Sequence, residues 1–159
     1  MKQITVLSFL LATIFCAHAQ ISDYDNQDFD HIVENNTNVI LLNFRTLYIS
    51  LRMSNRRFEE LMDKYEYKYR EDNYESNSPA GAPLYMFKKR PGQIQVMWFG
   101  DRTFCTYLKD QLDKLYIRTE DGMAIYDVRD HDDPVYIDKF YLREDGNSGT
   151  VIFKREKEN

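Results

Sequence analysis

The chain has 159 residues, with 26 acidic against 21 basic side chains and a formal net charge of −5. That balance disfavours nucleic acid and anionic membranes as ligands, because both need a basic surface. Twelve tyrosines and ten phenylalanines supply too much apolar surface for a disordered chain, and the length suits one domain.

The first residues read MKQITVLSFLLATIFCAHAQ. Lys2 gives a positive start, residues 4–16 form an apolar run too short to span a bilayer, and Ala17-His18-Ala19 is a small-x-small cleavage signal. This predicts a signal peptide over residues 1–19 and a single domain over 20–159, exported to the periplasm or the medium. Phe15 stands where lipoprotein processing wants a small residue, so Cys16 is not read as a lipid anchor. Cys105 is then the only cysteine of the mature chain, which excludes an intrachain disulfide. No later segment has the length and apolarity of a membrane-spanning helix.

Asp23, Asp25, Asp28 and Asp30 open the mature chain as a solvated acidic lead-in. Between 29 and 51, apolar residues fall at Phe29, Ile32, Val33, Ile40, Leu41, Phe44, Leu47, Tyr48 and Leu51. Steps of three and four predict an amphipathic helix, divided in two where ENNTN interrupts it. Ser54 or Asn55 caps a further helix with Phe58, Leu61, Met62 and Tyr65 inward. YEYKYR at 65–70 reads as a strand with Tyr65 and Tyr67 on its core face and Tyr69 at the rim. Strands follow at 84–89 and 94–99 around Pro91-Gly92. A helix after Gly100-Asp101 turns Phe104, Cys105, Leu108, Leu112 and Leu115 inward. Strands at 123–128, 135–142 and 150–154 complete the chain.

An offset of fifty residues suggests an internal repeat. Met62-Asp63-Lys64-Tyr65 lies over Leu112-Asp113-Lys114-Leu115, Glu66-Tyr67-Lys68 over Tyr116-Ile117-Arg118, and Glu71 over Asp121. The units would be 54–99 and 101–155. Leu115 and Ile117 stand as core positions of the second unit and support the same reading for Tyr65 and Tyr67. The first unit would carry about ten extra residues between its first two strands, from Asn73 and Tyr74 to Gly81, an asymmetric loop suited to function.

Candidate chemistry is sparse. His131 lies among Asp130, Asp132 and Asp133, a potential Zn²⁺ or Mn²⁺ set, but RDHDDP between strands reads better as a hairpin turn. The four aspartates at 23–30 lack the glycine and closing glutamate of a calcium loop. Cys105 has the helical spacing of a core residue. No nucleophile elbow, phosphate loop or zinc motif occurs. Trp98 and Phe99 point to opposite sheet faces, one inward and one exposed or covered.

These observations predict an α+β domain, with helices in a second layer on one face of a mostly antiparallel sheet. The functional expectation is a non-enzymatic exported module that binds another protein. It would have no cofactor, metal or membrane span. Tyr74, Trp98 and Phe99 are the candidate contact residues. The alternative is a carbohydrate or small-ligand site built from the same three aromatics.

Overall fold

A two-stranded hairpin, three α-helices and an eight-stranded antiparallel sheet make up the described chain. The computed structural model describes residues 23–34, 37–77, 83–100, 106–129 and 136–157. The fold is mixed α+β, as the sequence predicts.

Its first element corrects a sequence expectation. Residues 31–34 and 37–40 are strands, not helix. β1 (His31–Glu34) pairs antiparallel with β2 (Thr37–Ile40), in a register that sets Glu34 opposite Thr37. Ile32, Val33, Thr37, Val39 and Ile40 are β-branched, and two asparagines between such runs are a hairpin signal that outweighs the three-four spacing. Ile40 enters the core, while Ile32 and Val33 remain exposed.

Helix α1 (Phe44–Arg52) starts where Asn43 accepts from the Thr46 amide at 2.8 Å. Helix α2 (Asn55–Lys64) starts where Ser54 accepts from the Arg57 amide at 3.2 Å. Both caps satisfy donors that the first helical turn leaves open. Leu47, Ile49 and Leu51 of α1 and Phe58, Leu61 and Met62 of α2 are buried.

The acidic lead-in is also corrected: it is bonded to the helices rather than left in solvent. Asp25 accepts from the Ser54 amide at 2.7 Å. Asp30 accepts from Asn43 at 2.7 Å and pairs with Arg45 at 2.6 Å. Asp28 accepts from the Tyr65 hydroxyl at 2.7 Å and pairs with Lys64. Burial raises the Asp28 pKa, but the bonds from Lys64 and Tyr65 outweigh it and hold the carboxyl below its usual range.

Tyr65 and Tyr67 are 2% and 4% exposed, the core placement the sequence predicts, but strand alternation is not the reason. Tyr65 is the C-cap of α2. Glu66 takes a left-handed conformation (φ 63°), and the Glu66 and Tyr67 amides bond back to the Asp63 and Met62 carbonyls at 3.0 and 2.9 Å. This paired closure of a helix end turns both tyrosines inward. The supporting argument from the second unit fails: Leu115 and Ile117 are 38% and 51% exposed.

The sheet contains two four-stranded meanders. The first runs β3 (Lys68–Arg70), β4 (Asn73–Glu75), β5 (Leu84–Arg90) and β6 (Gln93–Phe99). Helix α3 (Thr106–Leu112) and a short 3₁₀ turn (Asp113–Leu115) precede the second. This one runs β7 (Tyr116–Glu120), β8 (Met123–Arg129), β9 (Tyr136–Asp145) and β10 (Ser148–Lys157). The last strands, β6 and β10, pair and join the meanders. Glu71-Asp72 and Asp121-Gly122, fifty residues apart, both have positive φ at both positions and both connect the first two strands of a meander. The expected ten-residue insertion between β3 and β4 is therefore absent. Asn73 and Tyr74 belong to β4, and the longer connection lies between β4 and β5.

One sheet face is buried across the central strands. Tyr85 and Phe87 lie beside Trp98, Val96 and Ile94, then Val151 and Phe153, then Leu142 and Phe140. The Phe140 and Phe153 rings stack at 3.9 Å. Phe44 of α1 reaches Phe140 at 5.5 Å, and Arg52 forms a buried ion pair with Asp138. The other face carries a polar cluster where Lys139, Lys154 and Tyr141 converge on Glu156. Burial alone raises the Glu156 pKa, but their bonds outweigh it and hold the carboxyl at about 2.

Gly149 fixes the seam. A Cβ there would come 2.1 Å from the Trp98 ring and 2.7 Å from the Arg143 carbonyl oxygen. Gly149→Ala is expected to destabilise the fold by about 2 kcal/mol through overpacking. Glu66→Gly is expected to stabilise it by about 1 kcal/mol, because glycine takes the left-handed cap without strain. Urea melts of both variants check the opposite signs; two losses would contradict the geometry at Glu66.

Candidate functional site

A groove of about 610 Å³ opens between α2 and the outer strands of the first meander. Asn55, Phe58, Glu59 and Asp63 line it from the helix; Tyr69, Asp72, Tyr74, Lys88, Lys89 and Arg90 line it from the sheet. The two sides differ in charge because α2 turns Glu59 and Asp63 toward the groove while β5 ends in three consecutive cations.

The two-residue turn Glu71-Asp72 positions the aromatic rim. It sets Tyr69 directly opposite Tyr74, with ring centroids 5.0 Å apart at an interplanar angle of 52°. Tyr69 is 62% exposed and donates to Asp72 at 3.2 Å. That bond and the Asp72 charge raise the Tyr69 hydroxyl pKa. Tyr74 is half-buried, its edge against the buried Phe58 ring at 5.7 Å. Burial raises its pKa first, and the charges of Glu59 and Asp63 add to that. Both phenols stay neutral donors at ordinary pH.

Lys88 pairs loosely with Asp72 at 3.8 Å. Lys89 turns the other way and donates to the Ser50 and Leu51 carbonyls at the end of α1, where a cation suits the helix dipole. Burial pulls the Lys89 ammonium down to about 8 against the opposing charge of Asp25. Arg90 is exposed beside the β5–β6 turn.

The structure separates the three aromatics expected to act together. Tyr74 lies in the groove. Trp98 is 1% exposed and fills the core against Gly149, so it offers no face to a ligand. Phe99 is 45% exposed but sits opposite Leu84, at the end of the β5–β6 hairpin away from Arg90. There it lines a separate dent of about 200 Å³ with Arg143, Asp145, Ser148, Gly149 and Thr150. Tyr69, which the sequence reading left at the rim of the sheet, is the residue that partners Tyr74. The signal for it was the fifty-residue match of Glu71 to Asp121, which marks a tight turn and so pairs the two tyrosines.

His131 with its aspartates, and Cys105 with Phe104, lie outside the described residues. Among the described residues no group of three or more His, Cys, Asp or Glu is placed to hold a metal ion, and no helix is long and apolar enough to cross a membrane.

Lys89 gives the groove a pH signature. Its folded pKa lies below the unfolded value of 10.5, so between about 8 and 10.5 the unfolded chain holds more protons. Stability relative to Lys89→Met is expected to rise across that window and to stay flat below it. Paired thermal melts from pH 7 to about 10.5 check this; a fall across the window would contradict the buried ammonium.

No protein-family model matches the chain, no curated protein matches it, and no solved structure matches it.

Proposed function

We propose that this chain is an exported, non-enzymatic module that binds another protein through the groove between α2 and the β3–β5 strands. The observation that carries the reading is the Tyr69–Tyr74 pair: one ring 62% exposed, the other half-buried, between the carboxylates of α2 and the cations of β5. Tyrosines present large, stiff contact area with a hydroxyl handle, and they are enriched where proteins meet. Charges of both signs on opposite sides suit a polypeptide segment of mixed charge better than a uniformly charged ligand. The 52° tilt between the rings disfavours the carbohydrate alternative, which would use a flat aromatic platform.

Export rests on the N-terminal segment, with residues 1–19 as the cleaved signal and 20–159 as the domain. We further read the three helices as one layer over the buried sheet face, and the two meanders as copies of one helix-and-four-strand unit. The matched positive-φ turns at Glu71-Asp72 and Asp121-Gly122 support the second point. On this reading the first copy carries the binding groove and the second serves as scaffold.

Binding is tested by cross-linking the wild-type chain in extract of its native envelope and identifying the captured protein by mass spectrometry. Tyr69→Ala and Arg90→Glu are each expected to reduce capture of that protein at least about tenfold, the scale of one interface anchor. Phe99→Ala is expected to leave capture unchanged. Loss with Phe99→Ala and retention with Tyr69→Ala would move the site to the other end of the hairpin and overturn the proposal.

A further inference from the structure

The two outer strands of the eight-stranded sheet are unlike. β3 has three residues, with Lys68 and Arg70 on either side of Tyr69. Short length and charge both blunt such an edge. β7 has five residues, all exposed, and it follows the exposed Leu115. Its first two residues, Tyr116 and Ile117, are 48% and 51% exposed. Among the described residues no strand pairs with its outer side.

We propose that β7 pairs antiparallel with β7 of a second copy of this chain, about a two-fold axis through Thr119. Backbone direction is the first argument. Glu120 and Met123 flank the two-residue turn Asp121-Gly122, both of whose φ angles are positive. Flanking residues of such a turn exchange both their hydrogen bonds. Glu120 therefore points its amide and carbonyl toward β8, and Thr119 points its own outward. Two Thr119 residues facing each other across the axis supply a donor and an acceptor each, which closes a hydrogen-bonded pair.

Charge is the second argument, and it selects the register. An axis through Arg118 would set guanidinium against guanidinium. An axis through Glu120 would set carboxylate against carboxylate. An axis through Ile117 falls on the irregularity between Tyr116 and Arg118, where the β7–β8 ladder shifts register. The axis through Thr119 sets Arg118 opposite Glu120 of the second copy, and symmetry repeats the pair. Arg118 and Glu120 already approach within 3.4 Å along their own strand, so the four groups form one alternating cluster. Opposite charges placed directly across two strands stabilise the pairing, and like charges destabilise it.

A strand of five residues buries far less than the roughly 1,600 Å² of a standard stable interface. The dimer is accordingly weak and forms as concentration rises. It leaves the groove free, since that groove lies at the opposite edge of the sheet.

Sedimentation velocity of the purified chain over a concentration series tests the proposal, with thermal melts confirming that each variant folds. The wild type is expected to shift from monomer to dimer. Arg118→Glu alone and Glu120→Arg alone are each expected to weaken dimerisation about tenfold or more, because each turns both cross-copy pairs repulsive. An equimolar mixture of the two variants is expected to restore the dimer, because each charge then meets its opposite; a variant that failed to fold would give no such rescue. A wild type that stays monomeric throughout, a dimer indifferent to both reversals, or a mixture that fails to restore it would each overturn the proposal.

Discussion

The fold depends on the contact between Trp98 and Gly149 at the pairing of β6 with β10. Among the described residues that pairing is the only ladder joining the two meanders. The indole lies where a side chain at 149 would otherwise stand. A large ring over a bare backbone fills the seam without a void, and close packing of this kind tolerates little change in volume. Val96 pairs with Val151 and Ile94 with Phe153 beside it, all fully buried. The stacked Phe140 and Phe153 rings extend the contact into β9. Helix α1 meets this region through Phe44 and through the Arg52–Asp138 ion pair. Burying that pair is justified only because both charges are matched in place; one left alone there would be strongly unfavourable.

The chain before the helices acts as a bracket around the groove-bearing half. Asp25 bonds the start of α2, and Asp28 bonds its end through Lys64 and Tyr65. Asp30 bonds Asn43 and Arg45 at the start of α1. Phe29 packs between Phe58 and Tyr65. The helical side of the groove is therefore held at both ends by one short segment. A groove fixed in this way loses less conformational freedom when a partner docks, which favours binding.

Much of the sheet was legible because its signals are local. Pro91-Gly92 and the alternation over Leu84 to Phe99 mark β5 and β6, and Trp98 and Phe99 separate to opposite faces as a period of two requires. Ser54 with Phe58, Leu61 and Met62 marks α2. The misreadings arose where two local signals competed or where burial was set at a distance. Ile32, Val33 and Ile40 satisfy a helical spacing and a β-branched hairpin at once, and only the pairing of the two strands decides between them. The aspartates at 23–30 look like a solvated tail because their partners lie up to 37 residues away in sequence. Tyr67 is buried through a left-handed residue at Glu66, a conformation that a glutamate does not advertise. Ile117 is exposed because β7 is an outer strand, and Leu115 lies in the turn that leads into it; strand order is not written in any one segment. Of the groove, the sequence indicated Tyr74 and placed Tyr69 at the rim. The charged lining from α2 and β5 converges only in three dimensions.

The central claim is that one seam, Trp98 over Gly149 between β6 and β10, holds two meanders together while the sheet edges stay open. Native-state hydrogen exchange measures this strand by strand, because the slowest amides report the structure that opens last. The account predicts the slowest exchange at Val96, Val151 and Phe153, and, at dilutions where the chain is monomeric, the fastest strand amides at Tyr69 in β3 and Thr119 in β7. Protection centred on either meander alone, with β6 and β10 exchanging as fast as the edges, would contradict it.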